Sequence, residues 1–566
     1  MSVHDEEHDA YMAMRVVDAF LREDIMGCAS RSVVTGDVLL TEPTAGGRLR
    51  IPVRRSQFMQ RWRVRELPVV HERDGVARPV RGMQALLDAL RAALGVADEE
   101  LFEAFRKECA TAIEHRSACE AERDRWFSGP VDPASSPAVR FVHWDRLAAF
   151  LDHPFYPTAR AKLGLTTAHL EQYTPEFQPS FELRWLALPK TLARIAGALP
   201  AWWPSPSQLE LAPGLDATHV CFPVHPHFWE HDLPTYLAGS PIAEHVVLAP
   251  KAFRTVTPTL SVRTVACVDD PRCHIKVPLC MRTLGAKNIR TIKPSTVHDG
   301  HVIQQMLGEI AAGEPTLKDG VVLTDESTGG YVDDLPWLAF IVRRYPADVE
   351  NTAIVPVAAF LAPSSSGGIV FEDIANTYFG GNALELFDAY IGAMFAFHLR
   401  LWIRYGIALE SNQQNSAIVL QHGTPKLRLL LRDNDAARVR PGQHTRARTE
   451  VLRDRRIVVD GDLPLAQMFI TITLQLCVTA IVEGLLARGH GKDLYRRVRH
   501  RIEAVLHELE REGDDVSEAR KILLEAPAHP LKLLLVAATL RSKQDTGVAD
   551  VNKYYGHTAP NSLRDA

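Results

Sequence analysis

The chain has 566 residues, of which 46% are hydrophobic and 23% are charged, and its formal net charge is −5. This length exceeds what a single hydrophobic core supports, so we expect about two to four domains. The acidic balance argues against a nucleic-acid-binding protein, which normally shows a basic excess. Any anionic ligand must therefore be bound by local clusters of Arg and Lys.

The eight cysteines form no Cys-x-x-Cys pair, so their spacing signals neither a zinc site nor a redox motif. The N-terminal sequence MSVHDEEHDAYMAM is acidic and lacks the pattern of a signal peptide. We therefore expect a cytoplasmic protein with reduced thiols.

Sequence periodicity divides the chain into three parts. Residues 1–136 are predicted to be mostly helical, with short strand-like pieces such as GRLRIPV. The run SGPVDPASSPAV, residues 128–139, is predicted to be a connector. Residues 137–362 mix β-type runs with Pro-rich loops. Residues 363–566 are dominated by long amphipathic helical patterns, after a predicted hinge at 364–368.

One apolar segment, residues 465–487, is long enough to resemble a membrane span. Polar side chains recur in it every four residues, which on a helix gives one polar stripe. These are Gln467, Thr471, Gln475, Thr479 and Glu483. We therefore predict a largely buried helix of a bundle.

The segment GIALESNQQNSAIVLQHGTPKLRLLLRDND is predicted to form a polar loop followed by a β-hairpin around HGTP. The hairpin brings Asp433 back to the loop that carries Glu410, Gln414 and Asn415. Carboxylates and amides at one loop suit a magnesium ion with phosphate oxygens, since Mg²⁺ takes a few oxygen ligands and keeps waters. The layout is similar to the catalytic loop and metal-binding Asp of protein kinases. The alternative is a polar loop that only caps the hairpin.

A second block collects hydroxyl and cationic side chains within residues 259–292. They are Ser261, Arg263, Thr264, Lys276 and Arg290. Alternating positions of an extended strand share one face, which suits several phosphate oxygens at once. Lys276 lies in the apolar strand HIKVPL, where a lysine usually has an anionic partner. An exposed strand face would explain Lys276 alone, but with Arg263 and Arg290 the block favours phosphate binding.

The stretch DHPFYPTARAKLGL contains two X-Pro pairs. Proline fixes φ and keeps the preceding residue extended, so His153 and Tyr156 are expected to point the same way along a stiff rod. Arg160 and Lys162 follow as two cations. The alternative is a surface loop with a solvated basic end. In the later FPVHPHFW, His225 is expected either to line a pocket or to lie in a tight turn.

These blocks, in this order and at these separations, resemble one known family. The matching pieces are HPFYPTARAKLG, PVHP, TLSVRT, the HIKV strand, and GIALESNQQN with its later RD. They are similar to the NRPS-independent siderophore synthetases, the aerobactin-synthetase-like family, over residues 137–435 and more loosely at HPLKLLLVAATLRSK. The resemblance implies an α+β fold with a thumb (1–136), fingers (137–362) and a helical palm (363–566), around a kinase-like nucleotide cleft.

The resemblance also implies a reaction. With ATP and Mg²⁺, such enzymes adenylate a carboxylate, usually of citrate, and an amine or alcohol then attacks to give an amide or ester, AMP and pyrophosphate. A carboxylate is a poor electrophile, and the acyl adenylate supplies a good leaving group. Bringing a polyanionic nucleotide beside a polyanionic acid requires fixed cations and a metal ion. We expect a cytoplasmic homodimer that acts on small molecules and has no nucleic-acid or membrane partner.

Carried over position by position, the resemblance assigns the site residues. It implies nucleotide binding by Ser261, Arg263, Thr264, Lys276, Gln414 and Asn415, and magnesium binding by Glu410 and Asp433. The implied catalytic residues are Arg290, His153 and Asn412, and the weaker substrate-binding candidates are Arg160, Lys162, Lys532 and Arg541. His153 and Arg160 are expected at the rim of the cleft.

The chain departs from the family pattern at several positions. Tyr156 replaces a signature His, Arg160-x-Lys162 reverses a Lys-x-Arg, and Asn412 stands where many members have His. An amide cannot titrate as His does, so a citryl intermediate or 2-oxoglutarate is an alternative to free citrate. Two other functions stay open: a kinase-like phosphotransferase and a non-catalytic family member. The sequence does not name the nucleophile.

Overall fold

The computed structural model describes residues 3–95, 98–128, 137–285, 287–424, 426–547, 554–564 and 566. The predicted connector at 128–139 lies largely outside these residues. The N-terminal part combines long helices with an antiparallel sheet. The helices are α1 (Val3–Arg22), α2 (Met83–Leu94) and α3 (Glu99–Ser128). The strands are β1 (Val33–Thr35), β2 (Val38–Leu40), β3 (Arg48–Arg55), β4 (Trp62–Val64), β5 (Val69–Arg73) and β6 (Val76–Val80).

The strand-like pieces that the sequence showed among these helices join into one sheet. Its order is β1-β2-β3-β5-β6, with β4 also paired to β3. The N-terminal part is therefore mostly helical, as predicted, and its short strands pair into a sheet that was not predicted. Pairing between strands stabilises such short pieces, and local propensity does not reveal it.

The middle part is built on a large antiparallel sheet. Its helices are α4 (Pro137–Ala149), α5 (Thr167–Tyr173), α6 (Leu215–Thr218), α7 (Pro226–His231), α8 (Leu233–Ala238) and α9 (Pro294–Gly313). Its strands are β7 (Phe181–Glu182), β8 (Arg184–Pro189), β9 (Ala193–Ala196), β10 (His219–Val224), β11 (Val247–Leu248), β12 (Thr255–Pro258), β13 (Thr264–Cys267), β14 (Cys273–Lys276), β15 (Leu279–Arg282), β16 (Ile289–Arg290), β17 (Val321–Leu323), β18 (Asp325–Val332), β19 (Ala339–Arg344) and β20 (Ala353–Pro356). The large sheet has the order β7-β12-β13-β14-β19-β18-β9, while β10-β8-β11 form a smaller sheet and β15 pairs with β16.

The C-terminal part is mainly helical. Its helices are α10 (Val370–Tyr378), α11 (Ala383–Ile403), α12 (Arg446–Val451), α13 (Leu463–Met468), α14 (Ala480–Ala487), α15 (Leu494–Arg511), α16 (Ser517–Arg520) and α17 (Lys543–Thr546). Its strands are β21 (Ile407–Leu409), β22 (Ser416–Leu420), β23 (Leu427–Leu431), β24 (Ala437–Val439), β25 (Ala528–Leu531) and β26 (His557–Pro560). A π-helical segment, Phe469–Thr479, joins α13 to α14.

A small sheet joins the middle and C-terminal parts. It has the order β17-β23-β22-β20, with β17 parallel to β23 and the other pairs antiparallel. Strands β22 and β23 are the predicted hairpin, which is confirmed. Strands β17 and β20 precede residue 362 and the hairpin follows it, so both predicted parts contribute to this sheet.

The predicted hinge at 364–368 is a tight turn fixed to the next helix. The Ser364 N–H donates to the Gly368 carbonyl at 3.0 Å. The hydroxyls of Ser364 and Ser366 both donate to Asp373 of α10, at 2.7 Å for Ser366. The turn is therefore closed on itself and tied to α10.

Two of the described helices are long and apolar enough to cross a membrane, and both lie mostly inside the fold. They are Ala383–Ile403, 67% buried, and Leu463–Ala487, 94% buried. The second is the segment predicted to be a buried bundle helix. Its polar stripe finds internal partners: the amide of Gln475 donates to the Pro530 carbonyl at 3.1 Å, and Glu483 accepts from Tyr495 at 2.8 Å.

The closing segment, residues 531–540, returns to the N-terminal part. Its leucines share one core with Phe20 and Phe105. Glu23 accepts the backbone N–H groups of Leu535 at 3.0 Å and Val536 at 2.9 Å. Burial raises the pKa of Glu23, against the lowering effect of Arg22 and these N–H donors. One buried carboxyl group thus caps the start of the closing helical turn.

Replacing Glu23 with Ala is expected to loosen the closing segment. Two buried N–H groups would lose their acceptor, at a cost of about 1–3 kcal/mol each. Amide hydrogen exchange at Leu535 and Val536 should become faster, and thermal unfolding should begin at a lower temperature. The exposed Glu42→Ala is the matched control and should change neither quantity. Unchanged exchange in Glu23→Ala would contradict the capping role.

Candidate active site

A cavity of about 260 Å³ lies between the middle and C-terminal parts. Its walls are the loop after α4, the turn between β12 and β13, the β15–β16 hairpin, the loop after β21, the π-helical segment and the closing segment. The predicted residues that line it are His153, Arg160, Lys162, Ser261, Arg290, Glu410, Asn412, Gln414 and Lys532. The predicted residues that do not line it are Arg263, Thr264, Lys276, Asn415, Asp433 and Arg541, of which Arg541 is exposed.

A tight turn between β12 and β13 brings Ser261 to the cavity wall. The Thr259 hydroxyl donates to the Thr264 carbonyl at 2.7 Å, and the hydroxyls of Thr264 and Ser261 lie 3.3 Å apart. Val262, at φ 62°, adopts the left-handed conformation that β-branched residues rarely take. Strain of this kind persists where the surroundings fix it, and it is common at ligand sites.

Arg263 and Arg290 lie beside this turn, and neither is in direct contact with a carboxylate of the described residues. Arg263 donates from Nη1 to the Thr291 carbonyl at 2.6 Å. In the described part of the chain, the buried Nε atoms of Arg263 and Arg290 have no hydrogen-bond partner, and neither side chain forms an ion pair. Burial, followed by the charge of Arg290, lowers the pKa of Arg263 to about 10, and burial also lowers the pKa of Arg290. Asp433 acts on both arginines, with Asp435 on Arg263 and Glu410 on Arg290, but these carboxylates only partly offset the effect of burial.

Lys276 has the anionic partner expected of a lysine in an apolar strand. Its Nζ lies 2.5 Å from Asp433 Oδ1 and 3.5 Å from Asp435 Oδ2. Asp433 lies two residues beyond β23 with φ 61°, a conformation that turns its carboxylate back toward β14. Burial raises the pKa of Asp433, but Lys276 and Arg343 outweigh it and hold that pKa well below its usual range.

Three charged residues of this cluster were not predicted from the sequence. Arg343 of β19 donates to Asp433 at 3.1 Å and to Glu326 at 2.5 Å, and Glu326 also accepts the Asp433 N–H at 2.8 Å. Asp435 has a raised pKa because of burial, with Asp433 and Glu326 adding to it against Lys276. The signal for Arg343 was the one used for Lys276, a cation in the apolar strand AFIVRR.

Asn412 braces the loop that follows β21. Its side-chain Oδ1 accepts the backbone N–H groups of Gln414 at 3.0 Å and Asn415 at 3.1 Å. Arg432 holds the same loop by donating from Nε to the Gln414 carbonyl at 2.9 Å. Arg432 in turn is paired with Asp145 of α4 at 2.6 Å, and both are buried. The loop is therefore rigid, and part of Asn412 is committed to its shape.

The two carboxylates predicted to bind a magnesium ion, Glu410 and Asp433, each contact a lysine. Glu410 lies 3.4 Å from the Lys532 ammonium, while Asp433 shares Lys276 with Asp435. Two carboxylates that converge on one ammonium are close neighbours, and Mg²⁺ is typically held by one or two carboxylates, phosphate oxygens and waters. The Asp433 and Asp435 pair thus fits the ion, with Glu410 on the side of the closing segment.

Arg160 and Lys162 are buried and already paired, although Arg160 was expected at the rim of the cleft. Arg160 donates from Nε to Asp152 at 2.9 Å, and Arg160 and Lys162 both contact Glu176, at 3.3 and 2.7 Å. Arg160 is only 5% exposed. The charges of these two cations are therefore offset within the protein, and they hold the cavity wall together.

His153 and Tyr156 point in different directions, so the predicted common face is wrong. The Nδ1 of His153 accepts the Tyr156 N–H at 3.1 Å, and the residue lines the cavity. Burial, followed by Arg15 and Lys532, lowers the pKa of His153 to about 3, so its ring is neutral at pH 7. The Tyr156 hydroxyl lies in the N-terminal core, where it donates to Glu108 at 2.9 Å.

Replacing Asp152 with Asn is expected to destabilise the cavity wall. Asp152 accepts from Tyr11 at 2.9 Å and from Arg116 at 3.2 Å as well as from Arg160. Removing one partner of a buried ion pair costs about 3–5 kcal/mol. The change should appear as a lower temperature of thermal unfolding.

The pH dependence of unfolding provides a second test of Asp152. Burial raises its pKa, but Arg160, Arg15 and Arg116 outweigh this and lower it from 3.8 to about 2. A lowered pKa contributes stability that is present above the unfolded value and is lost as the pH falls toward 2. The wild type should lose this increment below about pH 4, and Asp152→Asn should lack it. The exposed Asp124→Asn is the control, and a wild-type profile in Asp152→Asn would refute the assignment.

Comparisons with known proteins match both the middle and the C-terminal parts. A family model described as the IucA / IucC family matches residues 140–362, and one described as ferric iron reductase FhuF-like transporter matches residues 384–547. Staphyloferrin B synthase of Staphylococcus aureus is 26% identical over 448 residues, which cover 75% of this chain and 74% of that protein.

Solved structures share the fold of nearly the whole chain. The petrobactin biosynthesis protein AsbB from Bacillus anthracis matches with a TM-score of 0.78 at 18% identity, covering 100% of this chain and 96% of that one. The ATP-bound aerobactin synthetase IucA from Klebsiella pneumoniae matches with a TM-score of 0.73 at 17% identity, covering 99% and 100%. The predicted α+β fold is confirmed. The resemblance seen in the sequence motifs is confirmed as well, by the IucA / IucC family model over residues 140–362 and by the similarity of the chain to staphyloferrin B synthase over most of its length.

Proposed function

We propose that the chain is an ATP-dependent siderophore synthetase that adenylates a carboxylate of citrate, or of a citryl intermediate or a related dicarboxylic acid. An amine or alcohol then takes the acyl group, and AMP and pyrophosphate are released. The observation that carries the proposal is the pair of half-buried arginines, Arg263 and Arg290, whose buried Nε atoms have no hydrogen-bond partner among the described residues. Buried cations need counter-charges, and a nucleotide and a polycarboxylate supply them.

In the first step, a carboxylate oxygen of the acid attacks the α-phosphorus of ATP, and the bond to pyrophosphate breaks. Negative charge accumulates on the oxygens of the departing pyrophosphate. Arg263 and Lys276 are the cations of the middle sheet that offset this charge, and the Ser261 hydroxyl donates a hydrogen bond. Gln414 and Asn415 belong to the rigid loop opposite and orient the nucleotide, while Thr264 holds Ser261 in place.

A magnesium ion would be held by Asp433 and Asp435. When bound, it would offset the negative charge of the phosphates together with the cations of the cleft. Both carboxylates already lie beside Lys276, at 2.5 and 3.5 Å. The ammonium keeps the two like charges together in the free protein. We therefore extend the predicted ligand set from Asp433 to Asp435 and place Glu410 at its edge.

In the second step, the amine or alcohol attacks the acyl carbon, the bond to AMP breaks, and the nucleophile loses a proton. Arg290, Lys532, His153 and Asn412 line the cavity on the side that would hold the acid. Lys532 is only 3.4 Å from Glu410, a contact that an incoming carboxylate can replace. His153, with its pKa near 3, is suited to donating or accepting a hydrogen bond and is a weak proton acceptor.

Arg290→Ala is expected to reduce kcat/KM for AMP formation by about 10²–10³-fold, the usual effect of removing one group that stabilises developing charge. The fold should be retained, because no internal ion pair is broken. Arg282→Ala, an exposed arginine at the end of the paired strand β15, is the matched control and should keep wild-type rates. Full activity in Arg290→Ala would contradict the assignment of Arg290 to the active site.

The reaction itself is tested with hydroxylamine as a surrogate nucleophile. ATP and Mg²⁺ are incubated with citrate, 2-oxoglutarate, succinate or no acid, and hydroxamate, AMP and ADP are measured in the same samples. We expect hydroxamate and AMP in equal amounts with one acid. ADP without AMP would identify a kinase-like phosphotransferase, and no turnover with any free acid or citryl amide would identify a non-catalytic family member.

A further inference from the structure

Three histidine side chains converge between α5 and α7, away from the lining of the cavity. They are His169 of α5 and His227 and His231 of α7, and one ring nitrogen of each lies within 4.8 Å of the others. The ring centroids are 4.6 Å apart for His169 and His227, and also for His227 and His231. Of the residues that the structure describes, these alone form a group of three metal-ligating side chains.

His227 is the buried member of this group and lacks partners. It is 4% exposed, and neither ring nitrogen has a hydrogen-bond partner in the described part of the chain. Leaving a buried polar atom unpaired costs about 1–3 kcal/mol. Burial, with the charges of His169 and His231 adding to it, lowers the pKa of His227 to about 4, so the ring keeps a lone pair at pH 7.

The backbone holds these histidines in a fixed arrangement. His225 is the N-cap residue of α7, and its Nδ1 accepts the His227 N–H at 3.2 Å. His227 and His231 are four residues apart on α7, so they share one face. The Nδ1 of His169 accepts the Thr166 N–H at 3.3 Å in a capping box, which leaves its Nε2 free.

We propose that His169, His227 and His231 bind a divalent transition-metal ion, and that zinc is the ion this set fits best. Zinc binds imidazole nitrogens at about 2.0–2.1 Å, which places the ligands of a tetrahedron about 3.3 Å apart. The ring nitrogens lie within 4.8 Å of one another. Rotation of the exposed His231 and the half-buried His169 would shorten these distances to the value for zinc. The fourth position is left for water or for a carboxylate such as the neighbouring Glu230, whose charge acts on His169.

A metal ion here would fasten two elements that support the cavity wall. Helix α5 leads into the turn Pro175–Phe177, where Glu176 contacts Arg160 and Lys162. Helix α7 packs against β15, which pairs with the strand that carries Arg290. The ion has a structural role in this arrangement, and the inference does not depend on the proposed reaction.

The test uses the full-length chain without a polyhistidine tag, after treatment with a chelator. Titration with zinc by calorimetry should show one ion per chain and a higher temperature of thermal unfolding. Titration with Co²⁺ should give the intense visible absorption bands of a four-coordinate cobalt ion.

Two variants decide whether these histidines are the ligands. His231 is exposed, so His231→Ala should fold normally. Losing an outer-sphere partner of a metal site already weakens binding by about 10–100-fold. Losing a ligand should cost more, so zinc affinity should fall by over roughly 100-fold. His245→Ala removes another exposed histidine of the middle part and should bind zinc as the wild type does. Wild-type affinity in His231→Ala, or no binding by the wild type at micromolar free zinc, would overturn the proposal.

Discussion

The contact between Lys276 and Asp433 is the interaction on which the rest of the cleft depends. It joins β14 of the middle sheet to the end of the hairpin, 157 residues later in the chain. Lys276 is buried and Asp433 is half-buried, and a pair of this kind is tolerated when further hydrogen bonds satisfy its atoms. Arg343 and Glu326 supply those bonds, and Glu326 also accepts the Asp433 N–H. The middle sheet and the hairpin are thereby held at a fixed separation.

The N-terminal part supports this cleft through buried carboxyl groups. Glu23 caps the turn of the closing segment that carries Lys532, and Glu108 accepts from Tyr156 and from Thr539 of that segment. Asp152 ties the cavity loop to α1 and α3. Because Asp152 and Glu176 offset their charges, Arg160 and Lys162 stabilise the cavity wall and add little net positive charge to it. The positive charge that we propose for ligand binding comes instead from Arg263, Arg290 and Lys532, whose present partner is Glu410.

The departure at position 412 has a physical consequence in this arrangement. The amide oxygen of Asn412 accepts two backbone N–H groups at once, at 3.0 and 3.1 Å. One imidazole nitrogen has a single lone pair and cannot replace both bonds. Asn412 therefore stabilises the loop in a way that a histidine does not, and it gives up a group that titrates near pH 7. The choice of acid is the property that this exchange would alter.

The sequence by itself determined the features that local pattern encodes. The hairpin at 416–431, the buried helix at 465–487 and the concentration of cations at 259–292 follow from turn chemistry, periodicity and strand alternation. The tertiary structure alone decided the partners: Asp152 and Glu176 for Arg160, Asp435 for Lys276, and Arg343 for Asp433 across 90 positions. It also turned Tyr156 into the N-terminal core and brought His169 to His227. An ion pair or a ligand set leaves no periodic trace in the chain, because it depends on which surfaces meet after folding.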